Sequence, residues 1–428
     1  MDHFTYQSGR LHCEGVDVES IAQAVGTPTY IYSEATLLEH YRRIATAFAA
    51  VKPLICYSVK SCGNLGVCRT LAQAGAGMDV VSGGEIFRAR QAGAGPERIV
   101  YAGVGKTDEE IRQALRERIF LLNVESEAEF ENIARIAREM GATCDCALRV
   151  NPDVDPKTHR YTSTGRKETK FGVDIERARA FFRTYGRDPH ARLRGIHLHI
   201  GSPIYSTDPY VQSITKALAL RKELAAEGFT VEVLDIGGGF AADYESGRSP
   251  DAAAYAAAIV PLLEPAVREG LRIVLEPGRA IVANAGILLT RVQYVKRSGD
   301  KTFTICDAGM NTLLRPSHYE AFHFIWPAHP KAGFVPTRRT EKPDMPGLVQ
   351  QDVVGPICET GDFLALDRAM PPVERGELLA VFTAGAYGMA MASRYNSVPL
   401  PAEVLVRGDR FETVRRRESY ADLVAHEA

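Results

Sequence analysis

Short apolar runs alternate with amphipathic stretches from about residue 54 to residue 275. The amphipathic stretches, for example 108–118 and 125–140, place their apolar residues on one side of a helix. Apolar runs of this length, bounded by glycine, proline and polar residues, predict buried strands. The eight predicted strands are 54–59, 78–81, 98–102, 119–124, 145–150, 194–200, 231–236 and 272–275. Alternation of this kind predicts an α/β fold, a (β/α)8 TIM barrel, with an open doubly wound sheet as the alternative.

The pattern changes after residue 280. Helical periodicity largely disappears, and strand-like runs follow one another between turn residues. These runs are 286–296, 302–306, 351–357, 378–383 and 402–407. Between them lies the segment 326–350, which contains five prolines and predicts a long surface loop, with a lid as the minority alternative. The carboxyl-terminal part of the chain is therefore expected to form a second, β-rich domain.

Composition and charge exclude several classes of function. The 428 residues are 45% hydrophobic and 24% charged, with a formal net charge of -2, as expected for a soluble globular protein. This charge predicts no nucleic-acid or membrane partner, and the sequence shows neither a signal peptide nor an apolar span. The eight cysteines form no disulfide or zinc pattern, so a reducing, cytoplasmic location is expected.

Residues suited to chemistry follow the predicted strands, at the end where barrel enzymes place their active sites. Lys60 closes the first strand. A lone lysine at this position is more often a side chain that extends to solvent. The functional alternative is an amine held in a dry pocket, where it can form a Schiff base with an aldehyde cofactor. The other strand ends carry Asp79 with 82–85, 199–202, 235–240 and 276–279.

Three consecutive glycines follow the seventh predicted strand. Gly237, Gly238 and Gly239 could expose backbone N–H groups to an oxyanion such as phosphate, although a tight turn explains them equally well. Their position favours phosphate, because barrels often bind it after strands seven and eight. Ser202 could add a hydroxyl donor, and Glu276 could meet a ring nitrogen of a cofactor.

A metal site is the competing hypothesis. His197 and His199 are two residues apart on one predicted strand, so both could face the barrel interior and bind a metal ion. No clear set of further ligands occurs at the other strand ends. A stacking imidazole and a buried, hydrogen-bonded histidine explain the pair more simply, and no metal is expected.

Eleven short motifs, in order along nearly the whole chain, resemble the fold-type III pyridoxal-phosphate decarboxylases. They are Tyr57–Lys60, Asp79–Glu85, Lys170–Gly172, His199–Ser202, Gly237–Gly239, Glu276–Arg279, Asp307–Asn311, Arg315–Pro316, Tyr319, Gly355–Glu359 and Gly385–Tyr387. The resemblance implies a barrel over 35–280 that binds pyridoxal 5'-phosphate. It also implies a β-rich domain made of 1–34 and 281–428, with 326–350 as a loop insertion, and a homodimer with active sites at the subunit interface.

The resemblance also implies roles for individual residues. Lys60 would carry the cofactor, His199 would stack on its ring, and Glu276 would pair with its ring nitrogen. Cys358 of the partner subunit would be the acid that returns a proton to the substrate. Phosphate and neighbouring cofactor atoms would be held by Ser202, Gly238, Gly239, Pro277, Gly278, Arg279 and Tyr387.

The resemblance assigns substrate recognition to Arg279, Arg315, Tyr319, Glu359 and Tyr387. Two arginines suit a distal carboxylate. Each would repel a bare ammonium about 4 Å away by about 4 kcal/mol at an effective dielectric of about 20. This favours meso-2,6-diaminopimelate, decarboxylated to L-lysine and CO2 as the last step of lysine biosynthesis, over ornithine, lysine or carboxynorspermidine. A non-catalytic pyridoxal-phosphate carrier is the alternative of a different class.

Overall fold

The computed structural model describes residues 2–155 and 170–428 and contains two compact units. The barrel unit comprises His40–Ala241 and Pro250–Arg279. The β unit comprises the residues before His40 together with Ala242–Ser249 and Ala280–Ala428. The predicted boundaries at 34/35 and 280/281 lie close to these, but the short segment Ala242–Ser249 groups with the β unit.

The chain begins with a small antiparallel sheet of three strands, followed by a helix and a strand that joins a larger sheet. These elements are β1 (Phe4–Gln7), β2 (Arg10–Cys13), β3 (Val16–Asp17), α1 (Val18–Val25) and β4 (Thr29–Ser33). Asp17 starts α1 by accepting a hydrogen bond from the backbone N–H of Glu19 at 2.9 Å.

The barrel unit alternates strands with helices. Its strands are β5 (Leu54–Ser58), β6 (Gly77–Val80), β7 (Ile99–Tyr101), β8 (Leu121–Val124), β9 (Cys144–Asn151), β10 (Val173–Asp174), β11 (Ala191–His197), β12 (Val233–Asp235) and β13 (Arg272–Leu275). Its helices are α2 (Glu34–Ala47, shared with the β unit), α3 (Leu65–Gln73), α4 (Gly83–Gln91), α5 (Asp108–Glu117), α6 (Glu127–Glu139), α7 (Ile175–Tyr185), α8 (Asp208–Ala226) and α9 (Ala252–Arg268).

Eight parallel strands close into a barrel, which confirms the predicted fold class. The hydrogen-bonded order is β5, β6, β7, β8, β9, β11, β12 and β13, and β13 pairs again with β5. The two-residue β10 adds only to the edge of β9. One layer of buried side chains from several strands fills the interior and includes Cys56, Val100, Leu121, Ala147 and Val274.

Side-chain caps fix where several helices begin after the strands. Ser82 accepts from the backbone N–H of Glu85 at the start of α4. Thr107 and Glu110 form a reciprocal capping box at the start of α5. Ser126 accepts from the N–H of Glu129 in α6. These caps end the strand-to-helix loops at defined points on the rim formed by the carboxyl ends of the strands.

The β unit is built on a mixed sheet in which β4 is a central strand. Its later elements are α10 (Arg279–Val282, which begins in the barrel unit), β14 (Gly286–Ser298), β15 (Lys301–Cys306), α11 (Arg315–Tyr319), β16 (Ile325–Pro327), β17 (Val349–Val354), β18 (Phe363–Met370), β19 (Leu378–Val381), β20 (Ala402–Arg407), β21 (Arg410–Arg415) and α12 (Tyr420–Leu423). The main strand order is β18, β17, β15, β14, β4, β20 and β21, and β19 pairs with β14 and β16. The β-rich second domain expected from the sequence is therefore present.

The proline-rich segment starts inside the core of this unit. Trp326 lies in β16, is fully buried, and donates its indole N–H to the Phe334 carbonyl at 2.7 Å. Residues 328–348 then run without helix or strand to β17. Ser246 donates its backbone N–H to the Arg339 carbonyl at 2.9 Å, which explains why Ala242–Ser249 groups with the β unit.

Candidate active site

Lys60 lies in a short 3-10 turn, Val59–Ser61, directly after β5. Its Nζ is 2.5 Å from Oδ2 of Asp79, a fully buried residue of β6. Ser58 donates a hydrogen bond to the same carboxylate oxygen. The lysine side chain keeps 32% exposure, so the amine faces the rim while a buried acid holds it. This contact argues against a lysine that simply extends to solvent.

The charge of Asp79 depends on this contact. Burial raises the pKa of the Asp79 carboxyl and the nearby charge of Glu276 raises it further, whereas Lys60 and Ser58 lower it. The sequence places Asp79 in a motif but gives it no role. An acid in the middle of a predicted buried strand was the available signal, because burying a charge demands a partner.

A second group of buried polar residues lies inside the barrel, at the ends of β8, β11, β12 and β13. Asn123 Nδ2 is 3.3 Å from both Asp235 Oδ2 and Glu276 Oε1. His197 Nε2 is 3.4 Å from Glu276 Oε2. We call these four residues, Asn123, His197, Asp235 and Glu276, the buried acid cluster. Its members are at most 3% exposed.

His197 and His199 do not act as the pair that a metal site would require. His197 faces Glu276, whereas His199 Nδ1 accepts a hydrogen bond from the backbone N–H of Gly238 at 3.4 Å. Burial lowers the pKa of His199 well below its ordinary value, and the charges of Arg149 and Lys60 lower it further. A neutral imidazole at this position suits stacking on an aromatic cofactor. Side chains of His197, Asp235 and Glu276 do approach within 4.8 Å of one another, a proximity that sequence reasoning missed.

The glycine loop after β12 accepts no larger residue. A Cβ on Gly237 would lie 2.2 Å from the Leu198 carbonyl oxygen, and one on Gly239 would lie 2.3 Å from the Gly201 carbonyl oxygen. Both have positive φ angles, 71° and 91°. The loop is anchored where the backbone N–H of Gly237 donates to Asp235 Oδ1 at 2.9 Å.

The loop after β13 adds a cation. Arg279 is 7% exposed and donates from Nε to Ser202 Oγ at 3.0 Å. A Cβ on Gly278 would lie 2.7 Å from Ser58 Cβ, so this loop also packs closely against the start of the Lys60 turn. A close-packed glycine cradle, a serine hydroxyl and a guanidinium are the donors that a phosphate group requires. The barrel residues therefore fit a phosphorylated cofactor with an aldehyde and a ring nitrogen.

The remaining predicted residues belong to the β unit. Arg315, at the start of α11, is 7% exposed. Its Nη1 is 2.9 Å from His323 Nε2, and its guanidinium lies 4.8 Å from the centre of the Tyr244 ring. Tyr319 ends α11 and is half-buried. Tyr387 is also half-buried and has a positive φ of 55°.

Cys358 and Glu359 are both exposed on the surface of the β unit. The backbone N–H of Cys358 donates to Asn396 Oδ1 at 3.0 Å. The Tyr395 hydroxyl donates to Glu359 Oε1, and this hydrogen bond raises the pKa of Tyr395. A short network thus holds the two residues of the Gly355–Glu359 motif on an open surface.

Sequence reasoning missed a buried ion pair beside His199. Arg149 Nη1 is 2.9 Å from Glu125 Oε1, and its Nη2 donates to the His199 carbonyl at 3.2 Å. Glu125 also accepts from the backbone N–H of Gly172 at 2.9 Å. The arginine inside the apolar run of β9 was the available signal, since buried charges are paired.

Comparison with known families agrees with this geometry. Residues 34–283 match the family described as pyridoxal-dependent decarboxylase, pyridoxal binding domain. The chain is 45% identical to diaminopimelate decarboxylase of Aquifex aeolicus, over 99% of this chain and 96% of that protein. It is 44% identical to the Pseudomonas aeruginosa diaminopimelate decarboxylase, over 100% of this chain and 99% of that protein.

Solved structures show the same relationship. Diaminopimelate decarboxylase of Helicobacter pylori, complexed with L-lysine, superposes with a TM-score of 0.89 at 38% identity, covering 96% of this chain and 99% of that one. The enzyme of M. jannaschii gives a TM-score of 0.92 at 34% identity, covering 100% and 98%. Within residues 2–155 and 170–428, we find no helix with the length and apolar character to cross a membrane. The chain thus belongs to the pyridoxal-dependent decarboxylases and, among them, to the diaminopimelate decarboxylase family.

Proposed function

We propose that this chain decarboxylates meso-2,6-diaminopimelate to L-lysine and CO2, using pyridoxal 5'-phosphate. The observation that carries the proposal is the similarity to diaminopimelate decarboxylases over essentially the whole chain, at 45% and 44% identity to two of them. The lysine/ornithine decarboxylase of Vibrio vulnificus shares the fold at 21% identity. Full-length identity therefore favours diaminopimelate over the simpler diamino acids.

The cofactor would be held by residues of the barrel rim. Lys60, fixed by Asp79, is the amine that would bind the aldehyde group. His199 would stack on the ring, and Glu276 would face the ring nitrogen. The phosphate would meet Ser202, Gly238, Gly239 and the loop Pro277–Arg279, together with Tyr387. When bound, the protonated pyridine ring accepts the electron pair left as the bond to CO2 breaks.

The ionised state of Glu276 suits its role. Burial raises the pKa of the Glu276 carboxyl, but His197 and Lys60 outweigh burial, and the pKa falls well below its ordinary range. A carboxylate that stays charged inside a dry barrel favours a protonated partner opposite it. Glu276 is therefore the group that would keep the ring nitrogen protonated.

Substrate recognition would combine opposite charges. Arg279 and Arg315 are each 7% exposed as residues, and charge-assisted hydrogen bonds to a carboxylate are strong in such buried surroundings. We assign them to the distal carboxylate of the substrate. Glu359 would meet the distal ammonium, and Tyr319 and Tyr387 would line the same site.

Protonation of the product would use a thiol from a second chain. We assign this step to Cys358 of the partner subunit, which would give its Sγ proton to the carbon that lost CO2. Cys358 and Glu359 are exposed in the single chain, as residues that complete a partner's site must be. Phe87, with 61% exposure, is one of several apolar side chains that offer surface for a second subunit. We therefore propose a homodimer. All eight cysteines are free, which supports a cytoplasmic location.

The decisive experiment measures CO2 release from purified holoenzyme with meso-diaminopimelate, L-ornithine and L-lysine in parallel. We expect turnover of meso-diaminopimelate, with L-lysine as the product and at least a hundredfold preference in kcat/KM. The protein should be yellow, and Lys60→Ala should lose the covalently bound cofactor. Faster release from ornithine would contradict the substrate assignment, and a colourless protein without turnover would contradict the function as a whole.

A further inference from the structure

We propose that Asp235 and Glu276 share one proton inside the barrel, with Asp235 as the neutral acid and Glu276 as the charged partner. Asp235 is then a positioning residue for the carboxylate that faces the cofactor's ring nitrogen. This inference deepens the proposed function and rests on it.

The geometry brings two buried carboxyl groups together. Side-chain atoms of His197, Asp235 and Glu276 lie within 4.8 Å of one another. Asp235 is fully buried and Glu276 is 3% exposed. The single amide of Asn123 contacts both carboxyls at 3.3 Å. Two like charges this close in a dry site are unfavourable, and such pairs commonly retain one proton between them.

The nearby cations make close ion pairs with other acids, although the charge of Lys60 also lowers the pKa of Glu276. Lys60 contacts Asp79 at 2.5 Å, and Arg149 contacts Glu125 at 2.9 Å. His199 Nδ1 accepts from the Gly238 backbone. His197 and Lys60 both favour the charged form of Glu276. The described groups that contact the Asp235 carboxyl are the Asn123 amide, the Gly237 backbone N–H and Glu276 itself. A negative charge is therefore favoured at Glu276, and a second one at Asp235 is not.

Two buried atoms show how the side chains of the cluster are oriented. Within the part of the chain that the structure describes, His197 Nδ1 and Asn123 Oδ1 have no hydrogen-bond partner. The proton of His197 therefore belongs on Nε2, from which it can donate to Glu276. A hydrogen bond also links the carboxyl groups of Asp235 and Glu276. Two carboxyl groups can share a hydrogen bond only when one of them carries a proton, because an ionised carboxylate has no donor.

The site of the proton follows from the contacts of each carboxyl. Glu276 lies 3.4 Å from the imidazole of His197, whereas the described donors to the Asp235 carboxyl are two amides, the Gly237 backbone N–H at 2.9 Å and the Asn123 side chain at 3.3 Å. Burial raises the pKa of Asp235 well above its ordinary value, and the charge of Glu276 and a hydrogen bond to it raise it further. The pKa of Glu276 moves in the opposite direction. The same Asp235 thus links the acid opposite the ring nitrogen to the glycine loop proposed to hold the phosphate.

The test compares Asp235→Asn with Asp235→Ala and Glu276→Gln in the holoenzyme. Asparagine is neutral, nearly isosteric, and can still donate to Glu276 and accept from Gly237. We expect Asp235→Asn to keep the pH midpoint of the cofactor's visible absorption within about 0.3 unit of wild type. Glu276→Gln should lower this midpoint by about 1 unit or more, because it removes the charge that favours the protonated ring. Asp235→Ala should weaken cofactor binding about tenfold or more.

Each outcome either supports or contradicts the shared proton between Asp235 and Glu276. If Asp235→Asn lowers the midpoint as much as Glu276→Gln does, Asp235 is charged and the proposal is wrong. If Asp235→Ala binds the cofactor as tightly as wild type does, Asp235 does not act as a positioning residue. Should Asp235→Ala fail to fold, the comparison of Asp235→Asn with Glu276→Gln remains sufficient. Wild-type protein that never acquires visible absorption would instead overturn the proposed function.

Discussion

Asp79 governs how Lys60 presents its amine. The carboxylate is fully buried, contacts Nζ at 2.5 Å and accepts a hydrogen bond from Ser58. Asp79→Asn keeps the shape and one acceptor oxygen but removes the counter-charge of the lysine. We expect the variant to lose bound cofactor at least about tenfold faster, because the lysine nitrogen that joins the cofactor would lose the buried negative charge that favours its protonated form.

Dialysis against cofactor-free buffer, followed by visible absorbance, measures this loss. The exposed Asp300→Asn serves as the control for removing one acidic charge and should retain cofactor like wild type. Equal retention by Asp79→Asn and the control would show that hydrogen bonding alone, without charge, positions Lys60.

The raised pKa of the Glu85 carboxyl should make the stability of the protein depend on pH. Burial raises the pKa of its carboxyl from the ordinary 4.5 to about 7, although the Val81 N–H and the charge of Lys60 oppose this shift. The folded state therefore holds this proton more tightly than the unfolded state. As pH rises from about 4.5, the unfolded chain ionises first, so the free energy of unfolding falls until the folded state also ionises near 7.

Glu85→Gln should abolish this decrease in the free energy of unfolding with rising pH. Glutamine can still accept from the Val81 N–H, which contacts Glu85 Oε2 at 2.8 Å in the wild type. In urea denaturation of the cofactor-free proteins, the variant should gain stability relative to wild type between about pH 4.5 and 7, with a constant difference above. Glu97→Gln, at an exposed position, controls for surface charge. A stability difference that does not change with pH would refute the assignment.

The glycine loop carries a prediction at the scale of an element. Gly239→Ala would place a Cβ 2.3 Å from the Gly201 carbonyl oxygen, and Gly228→Ala would meet no atom of the described residues within 4 Å. Both glycines have positive φ, 91° and 83°, so both substitutions share the backbone strain of about 1–2 kcal/mol. Only Gly239→Ala should displace the loop, and cofactor titration of the cofactor-free protein should show weaker binding by about tenfold or more.

Elements with a strong pattern were predictable from the sequence, and those without one were not. All eight barrel strands and the strands β14, β15, β17, β19 and β20 overlap predicted runs. The sequence of β18, Phe363–Met370, contains helix-favouring alanine, leucine and methionine, and β21 alternates charged residues without a clear apolar face. Their strand structure comes from pairing with β17 and β20, which local propensity does not report. The short β16 was not predicted, because its last residue, Pro327, argues against a strand.

At the scale of the whole molecule, some residues of the candidate site could be predicted from the sequence and others could not. Residues that follow a strand, such as Lys60, Gly237 and Glu276, could be found because barrel topology gathers strand ends on one rim. Asp79, Asn123 and Arg149 lie within strands, and their importance comes from partners that are distant in sequence. Which buried polar groups meet depends on register around the barrel, and a single sequence does not specify register. The roles of Cys358 and Glu359 came from family resemblance alone.

A shared active site can be tested by mixing two inactive variants. Lys60→Ala lacks the amine for the cofactor, and Cys358→Ala lacks the proposed acid but should keep the yellow colour and lose most turnover. If each site combines Lys60 of one chain with Cys358 of the partner subunit, every mixed dimer holds one intact site. Random exchange makes about half of the dimers mixed, so the mixture should recover about a quarter of wild-type activity.

The outcome distinguishes two assemblies because a site built within one chain has no intact copy in any mixed dimer. Activity should then stay at the sum of the two single variants after subunit exchange at any ratio. Mixing Lys60→Ala with Lys60→Met controls for nonspecific gain and should recover nothing under either assembly. A different affinity tag on each variant, followed by purification on both tags in turn, confirms that mixed dimers formed. Since Cys358 and Glu359 are exposed on the single chain, recovery near a quarter is the result we expect.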